Sequence, residues 1–409
     1  MAIRQPILRF KNFNYDFSNI SFGDIIVNYG YGPRFNGDDY SDEGNVKTIR
    51  GTDISTNGEI KYSQVPLANL DYNFIKGHIL EEGDLVMITT ADCGLTGVYR
   101  KQEIDFIPSA YAVKIKLDDK NDPYFFKYFL QTKIAYKQVD KYIRKATVAN
   151  LPCSDILKFQ FKIPLIEEQN KIANFLSSVD NKINQLFKKK VLLEKYKKGI
   201  MQQIFNQEIR FKDDNDNDYE DWNEFMLSEV ATFRRGSFPQ PYGLPKWYDN
   251  DKGMPFVQVF DVDDNMLLKS TTKNKISSLG AEQSVFVKKG GLIITIQGSI
   301  GRIAKIQYDA YVDRTILIFQ EYKVNINVDY FKYVVFLLFE IEKEKAPGGI
   351  IKTITKEDLS SFNVMVPCLS EQTKIANFLS AIDIKINHIK IQLKKTQEFK
   401  DGLLQQMFM

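Results

Sequence analysis

The chain has 409 residues, 44% of them hydrophobic and 26% charged, with 55 Lys and Arg against 52 Asp and Glu for a formal charge of +3. That length suits two domains plus additional helix, and so small a net charge says little about a nucleic-acid partner, because what counts is where basic residues cluster. The three cysteines, Cys93, Cys153 and Cys368, and the two histidines, His78 and His388, are too few and too scattered for a disulfide framework or a zinc site. The first residues carry charge and aromatics instead of an apolar leader core, and the longest apolar run, Val334 to Phe339, falls far short of a membrane span. A soluble, cytoplasmic protein with no membrane partner is expected.

In chain order, residues 1–163 read as a first globular domain of short strands and helices. Tyr29-Gly-Tyr-Gly32 reads as a loop, Val46-Lys-Thr-Ile-Arg-Gly-Thr-Asp-Ile54 and Gly83-Asp-Leu-Val-Met-Ile-Thr-Thr90 have the β-branched character of strands, and a helical pattern covers Tyr124 to Tyr142. Residues 164–206, behind Pro164, form a long amphipathic helix. Its residues Ile172, Leu176, Val179, Ile183, Leu186, Leu193, Ile200 and Ile204 fall at three- and four-residue steps, the spacing of a coiled-coil seam, with Lys190 and Lys197 as polar interruptions. Residues 207–221 contain an acidic, Asn-rich stretch with almost nothing apolar, the composition of an exposed connector. Residues 222–366 read as a second globular domain with weak echoes of the first: Met254-Pro-Phe-Val-Gln-Val-Phe-Asp-Val262 resembles the 46–54 stretch, Gly290-Gly-Leu-Ile-Ile-Thr-Ile-Gln297 resembles 83–90, and Tyr330 to Glu344 is helical. A second long helix, residues 367–409, follows Pro367 with Ser370 as a candidate N-cap. Its seam is Ile375, Leu379, Ile382, Ile386, Ile389, Leu393, Leu403 and Met407, interrupted by Thr396 and Lys400.

The two helices are copies. Glu168-Gln-Asn-Lys-Ile-Ala-Asn-Phe-Leu matches Glu371-Gln-Thr-Lys-Ile-Ala-Asn-Phe-Leu, and the alignment runs without a gap from Pro164 and Pro367 to Phe205 and Phe408, with identity at about 19 of about 42 positions. Arg9-Phe-Lys11 likewise recurs as Arg210-Phe-Lys212. Each helix would extend roughly 55 Å at 1.5 Å per residue. Each apolar stripe needs a partner, so pairing of the two within the chain is expected.

Motifs of catalysis are missing. No Gly-x-Gly-x-x-Gly follows a strand, Gly298-Ser-Ile-Gly-Arg302 lacks the Lys-Ser/Thr of a phosphate-binding loop, and Asp53 with Glu59-Ile-Lys61 imitates a metal-nuclease cluster only at the level chance supplies. There is no motif-grade nucleophile. Binding is expected, with no catalytic residue, metal or cofactor in this chain.

Pro164 followed by Glu168-Gln169-x-Lys-Ile-Ala-x-Phe-Leu and Asp180, repeated after a dissimilar segment and preceded each time by Arg-Phe-Lys, resembles the specificity (S) subunit of Type I restriction-modification systems over essentially the whole chain. The resemblance implies two tandem α/β (α+β) target-recognition domains, each reading one half of an interrupted double-stranded DNA target. It also implies that the two long helices pair as an antiparallel coiled coil that spaces those domains, with a pseudo-twofold internal repeat. The function implied is that of a non-catalytic targeting subunit of an adenine-N6 DNA methyltransferase and Type I restriction endonuclease in bacterial phage defence. Its partners would be DNA and two methyltransferase subunits, with restriction subunits left open. S-adenosylmethionine, ATP and Mg would belong to the partner subunits.

Basic side chains interleaved with aromatics in loops are the candidates for touching DNA: Tyr29, Tyr31, Arg34 and Phe35, then Arg234, Arg235, Phe238, Gln240, Tyr242 and Lys246. Lys47, Arg50, Gln258, Gln297 and Arg302 join them at the ends of expected strands. Arg and Gln can read purine edges, whereas Lys mostly holds phosphate. The competing reading is a coiled-coil scaffold or adaptor with no DNA role, which would self-associate through its heptads and show no salt-sensitive DNA retention.

Overall fold

The computed structural model describes residues 6–145, 147–345, 354 and 356–408. The chain divides into two compact units, one formed by Met1–Phe187 with Gln392–Met409, the other by Lys188–Ile391. Each unit therefore takes part of both long helices, Ile166–Phe205 and Leu369–Gln406. Among the described residues no helix is long and apolar enough to cross a membrane.

In the first unit, all four residues of the strand Leu85–Ile88 are buried, as its unbroken apolar run requires. It lies between Thr96–Val98 and Ala112–Leu117, with Ile26–Tyr31 beyond, all antiparallel. A second sheet sets Val46–Ile49 parallel to Asp105–Pro108 and antiparallel to Leu67–Ala68. A ribbon pairs Ser18–Ser21 with Gln160–Ile163 and so closes the globular part immediately before the long helix. The second unit repeats this plan: Ala231–Arg235, Ile316–Tyr322, Leu292–Thr295 and Ile303–Lys305 form one sheet, and Asn274–Ile276, Met254–Val257, Ala310–Val312 and Val285–Val287 form another. Again one pairing, Met254–Val257 with Ala310–Val312, is parallel. Its ribbon joins Asn223–Met226 to Asn363–Val366. The faint echoes 46–54/254–262 and 83–90/290–297 thus mark corresponding strands, and the mixed α/β content matches the expected class.

Three local expectations need correction. Tyr29, Gly30 and Tyr31 are not loop residues but the end of the strand Ile26–Tyr31, paired in register with Ile115, Lys114 and Val113. The helical pattern from Tyr124 to Tyr142 is two helices, Pro123–Phe129 and Lys133–Tyr142, because the Thr132 hydroxyl accepts from the Ala135 N–H and caps a new start. Ser370 is not an N-cap: the helix begins at Leu369, which puts Ser370 in its first turn. The start is secured instead by Gln372, whose side-chain amide donates to the Pro367 carbonyl at 2.8 Å.

Every residue of the two expected seams is buried or half-buried. In the first unit Ile172, Leu176 and Val179 share one core with Leu403 and Met407, and Phe408 packs on Phe125 and Phe129. In the second, Leu193, Ile200 and Ile204 share a core with Ile375, Leu379, Ile382 and Ile386. There Glu194 meets Lys390 at 3.6 Å and Lys197 meets Asp383 at 2.6 Å, so the partner number falls as position rises and the segments run antiparallel. Lys197 and Lys400 are not solvated breaks in the stripe. Lys400 forms a buried ion pair with Asp180 at 2.7 Å in the first unit, matching Lys197 with Asp383 in the second. Lys190 lies 3.7 Å from Glu194, and the Thr396 hydroxyl donates to the Gln392 carbonyl of its own helix.

The repeated phrase is a set of anchors between helix and globular part. Arg9 donates twice to Glu168, at 2.8 and 2.7 Å, and Arg210 twice to Glu371, at 3.3 and 2.9 Å. These contacts raise both guanidinium pKa values above the ordinary one, against desolvation. Phe10 meets Phe175 edge-on at 5.8 Å, and Phe211 meets Phe378 at 5.6 Å. Gln169 accepts from the Asp122 N–H and donates to the Pro164 carbonyl, as Gln372 does with Asn327 and Pro367. Asp180 accepts from the Tyr128 hydroxyl at 2.7 Å and Asp383 from Tyr333 at 2.6 Å; burial, then the adjacent carboxylate, pushes both phenols up.

Candidate nucleic-acid interface

The first unit carries an open groove of about 640 Å³ lined by Arg34, Phe35, Tyr40, Arg50, Thr90 and Tyr111, among others. The chain turns into its wall at Gly32, where a Cβ would come within 1.8 Å of the Pro108 carbonyl oxygen, so only glycine fits. Gly236 has the same role in the second unit, 2.3 Å from the Val312 oxygen.

Arg50 is the most constrained candidate. Its Nε and Nη2 donate to the two oxygens of Asp53 at 3.0 and 3.1 Å, and its backbone N–H donates to the same carboxylate at 2.9 Å. Asp53 is fully buried and also accepts from Gln64 Nε2 at 3.1 Å. The hydrogen bond to Asp53 raises the Arg50 pKa against desolvation, and burial pushes the nearby Tyr40 phenol up. Arg34 is exposed and Phe35 is half-buried, edge-on to Tyr40 at 5.2 Å. Tyr29 and Tyr31 are exposed, the Tyr31 hydroxyl accepting from the Cys153 N–H. Lys47 is turned to internal contacts, donating to the Tyr62 carbonyl and lying over the Phe106 ring.

In the second unit, Arg234 and Arg235 are exposed at the end of their strand, and Gln240, Tyr242 and Lys246 are exposed on the loop that follows. Tyr242 packs on Phe238 at 4.6 Å and beneath the Arg314 guanidinium at 5.2 Å; Lys246 covers the Trp247 ring at 4.3 Å. Gln297 is exposed just beyond Leu292–Thr295. Three candidates are held by the domain itself. Phe238 is buried with Trp247, Phe256 and Ile276; Gln258 is buried and its amide oxygen accepts from Asn274 at 2.7 Å; Arg302 is tied to Asp264 and the Val262 carbonyl.

Sequence reasoning missed Tyr40, Tyr111 and Arg314, which stand at or near these surfaces. It also missed Asp313, buried, with one oxygen accepting from Thr315 and the other without a protein partner among the described residues. The only available signal was position, since residues 109–111 and 313–315 follow corresponding strands. Asp53 is engaged by Arg50 and Glu59 by Lys127, and no group of three or more His, Cys, Asp or Glu among the described residues is placed to hold a metal.

The family profile described as the Type I restriction modification DNA specificity domain matches twice, at residues 15–195 and 219–396. This chain belongs to that family. Its specificity domains thus coincide with the two repeated plans of strands and helix. The chain is similar to the MjaX protein of Methanocaldococcus jannaschii, described as a type I restriction enzyme specificity subunit, with 27% identity over 296 residues. That match covers 69% of this chain and 65% of the relative, a little under two thirds of its length. In fold, it resembles the S subunit of the Type-I restriction-modification system from M. genitalium, with a TM-score of 0.63 at 16% identity over 99% of both chains. A chain from a structure concerned with complex assembly and conformational transition of the type I R-M system matches with a TM-score of 0.57 at 17% identity over 96% of both.

Proposed function

We propose that this chain is the DNA specificity subunit of a Type I restriction-modification enzyme, with residues 1–163 and 222–366 each reading one half of an interrupted target. The long helices space the two readers and dock two methyltransferase subunits, joined by restriction subunits in the restricting complex. Adenine methylation and DNA cleavage, with S-adenosylmethionine, ATP and Mg, belong to those partners, and the assembly works in the cytoplasm. One observation carries the reading: the units share strand order, ribbon and helix anchors but differ where they would meet a ligand. Arg50 in one corresponds to Gln258 in the other, and the exposed Arg234 and Arg235 occupy the strand end that Gly30 and Tyr31 occupy in the first. A common frame with unlike surfaces suits two different half-sites, since base edges and not the scaffold carry sequence information.

The test is a domain exchange. Residues 222–366 are replaced by those of another family member, the protein is expressed with its methyltransferase, and the methylated motif is mapped. One half of the motif should change while the other stays; both halves changing, or neither, refutes the two-reader assignment. Binding of the complex to its target should also weaken linearly in log–log terms as salt rises, an effect a scaffold without a DNA role would not show.

A further inference from the structure

We infer that Arg50 reads a guanine in the first half-site, with the buried carboxylate of Asp53 setting its guanidinium in advance. The inference rests on the chain being a DNA specificity subunit and deepens that reading to one side chain and one base. A guanidinium offers two forked edges. Here the Nε–Nη2 edge is taken by the two oxygens of Asp53, at 3.0 and 3.1 Å. Among the described residues nothing bonds to Nη1, so the Nη1–Nη2 edge is open, and the side chain is 44% exposed where the groove begins. Asp53 cannot give way, because it has no exposed surface and is held further by the Arg50 backbone N–H and by Gln64.

The geometry favours a base over a phosphate. An arginine whose charge is already balanced by a buried carboxylate gains less from a further anion than a free one does, while its fork still matches the paired O6 and N7 acceptors of guanine. Fixing the rotamer beforehand also removes the ordering that a free arginine undergoes on binding. Arg34, on the same groove and with no ion pair among the described residues, has the character of a phosphate contact. Among the described residues the second unit has no arginine at the corresponding position. Gln258 stands at the corresponding position, buried, with its amide oxygen already accepting from Asn274.

The experiment maps the methylated motif of the full chain with its methyltransferase, for wild type, Arg50→Lys and Arg50→Ala. In the half left unchanged by exchange of residues 222–366, one G·C pair should become degenerate, with discrimination falling on the order of tenfold to a hundredfold. The other half should not change. Arg50→Lys keeps the charge and the partner for Asp53 but cannot form the fork, so it decides the matter should Arg50→Ala fold poorly. Three results would overturn the inference while leaving the subunit assignment intact: a wild-type first half with no G·C pair, variants with an unaltered motif, or an equal loss of affinity for every sequence, the mark of a phosphate contact. A wild type that yields no two-part motif removes the subunit reading and this inference together.

Discussion

Lys400→Met is expected to destabilise the first unit by about 3–5 kcal/mol, the range for breaking a buried ion pair from one side. Asp180 and Lys400 are only 4% and 6% exposed, so the orphaned carboxylate cannot recover its hydration by turning outward. The Tyr128 hydroxyl still donates to it, and Lys127 Nζ lies 3.8 Å away, which places the expected loss toward the lower end of the range. Replacing both partners, as Lys400→Met with Asp180→Leu, should recover most of the loss because no charge is then stranded. Lys197→Met should cost less, since Asp383 is a quarter exposed and can rehydrate. Urea unfolding of the full chain followed by circular dichroism measures all three. A Lys400→Met variant no weaker than Lys190→Met would show that the seam lysine has no structural role.

Glu371→Ala is expected to have an effect of similar size in the second unit, about 3–5 kcal/mol. The fully buried carboxylate accepts two bonds from Arg210 and one from Trp222 Nε1 at 2.9 Å, and its removal leaves the indole N–H without that acceptor; Arg210 is 22% exposed and keeps the Tyr219 and Glu220 carbonyls, which places the expected loss toward the lower end of the range. Glu168→Ala should cost less in the first unit, where Arg9 supplies the only side-chain bonds to that carboxylate among the described residues. The readouts separate cleanly. Both tryptophans, Trp222 and Trp247, lie in the second unit, so loss of structure there changes the emission of selectively excited tryptophan, whereas loss in the first unit leaves that emission unchanged and registers in circular dichroism. Fluorescence unfolding of Glu371→Ala coincident with wild type would contradict the anchor role.

Features that depend on period or recurrence were legible before the structure. The seam residues stand inside because a three- and four-residue alternation has one geometric meaning, and the buried strands Leu85–Ile88 and Leu292–Thr295 showed through their β-branched runs. Partnerships at long range were not legible. Arg9 and Glu168 are separated by 159 positions, and although both recur, recurrence does not say that they touch. The break at Thr132 was hidden because a hydroxyl that caps a helix looks the same in sequence as one that faces water. In the candidate interface, composition could not tell which side chains turn inward, so Phe238 and Gln258 were grouped with exposed Tyr242 and Gln297.

The placement of Leu403, Met407 and Phe408 in the core of the first unit bears on biosynthesis. A ribosome makes residues 188–391 before it reaches them, so the N-terminal body must wait, with an apolar gap beside Ile172 and Phe125, until the whole intervening body has been made. The order of completion is therefore the reverse of the order of translation. A released chain ending near residue 391 would hold every residue of the later body and lack Leu403, Met407 and Phe408 from the core of the earlier one.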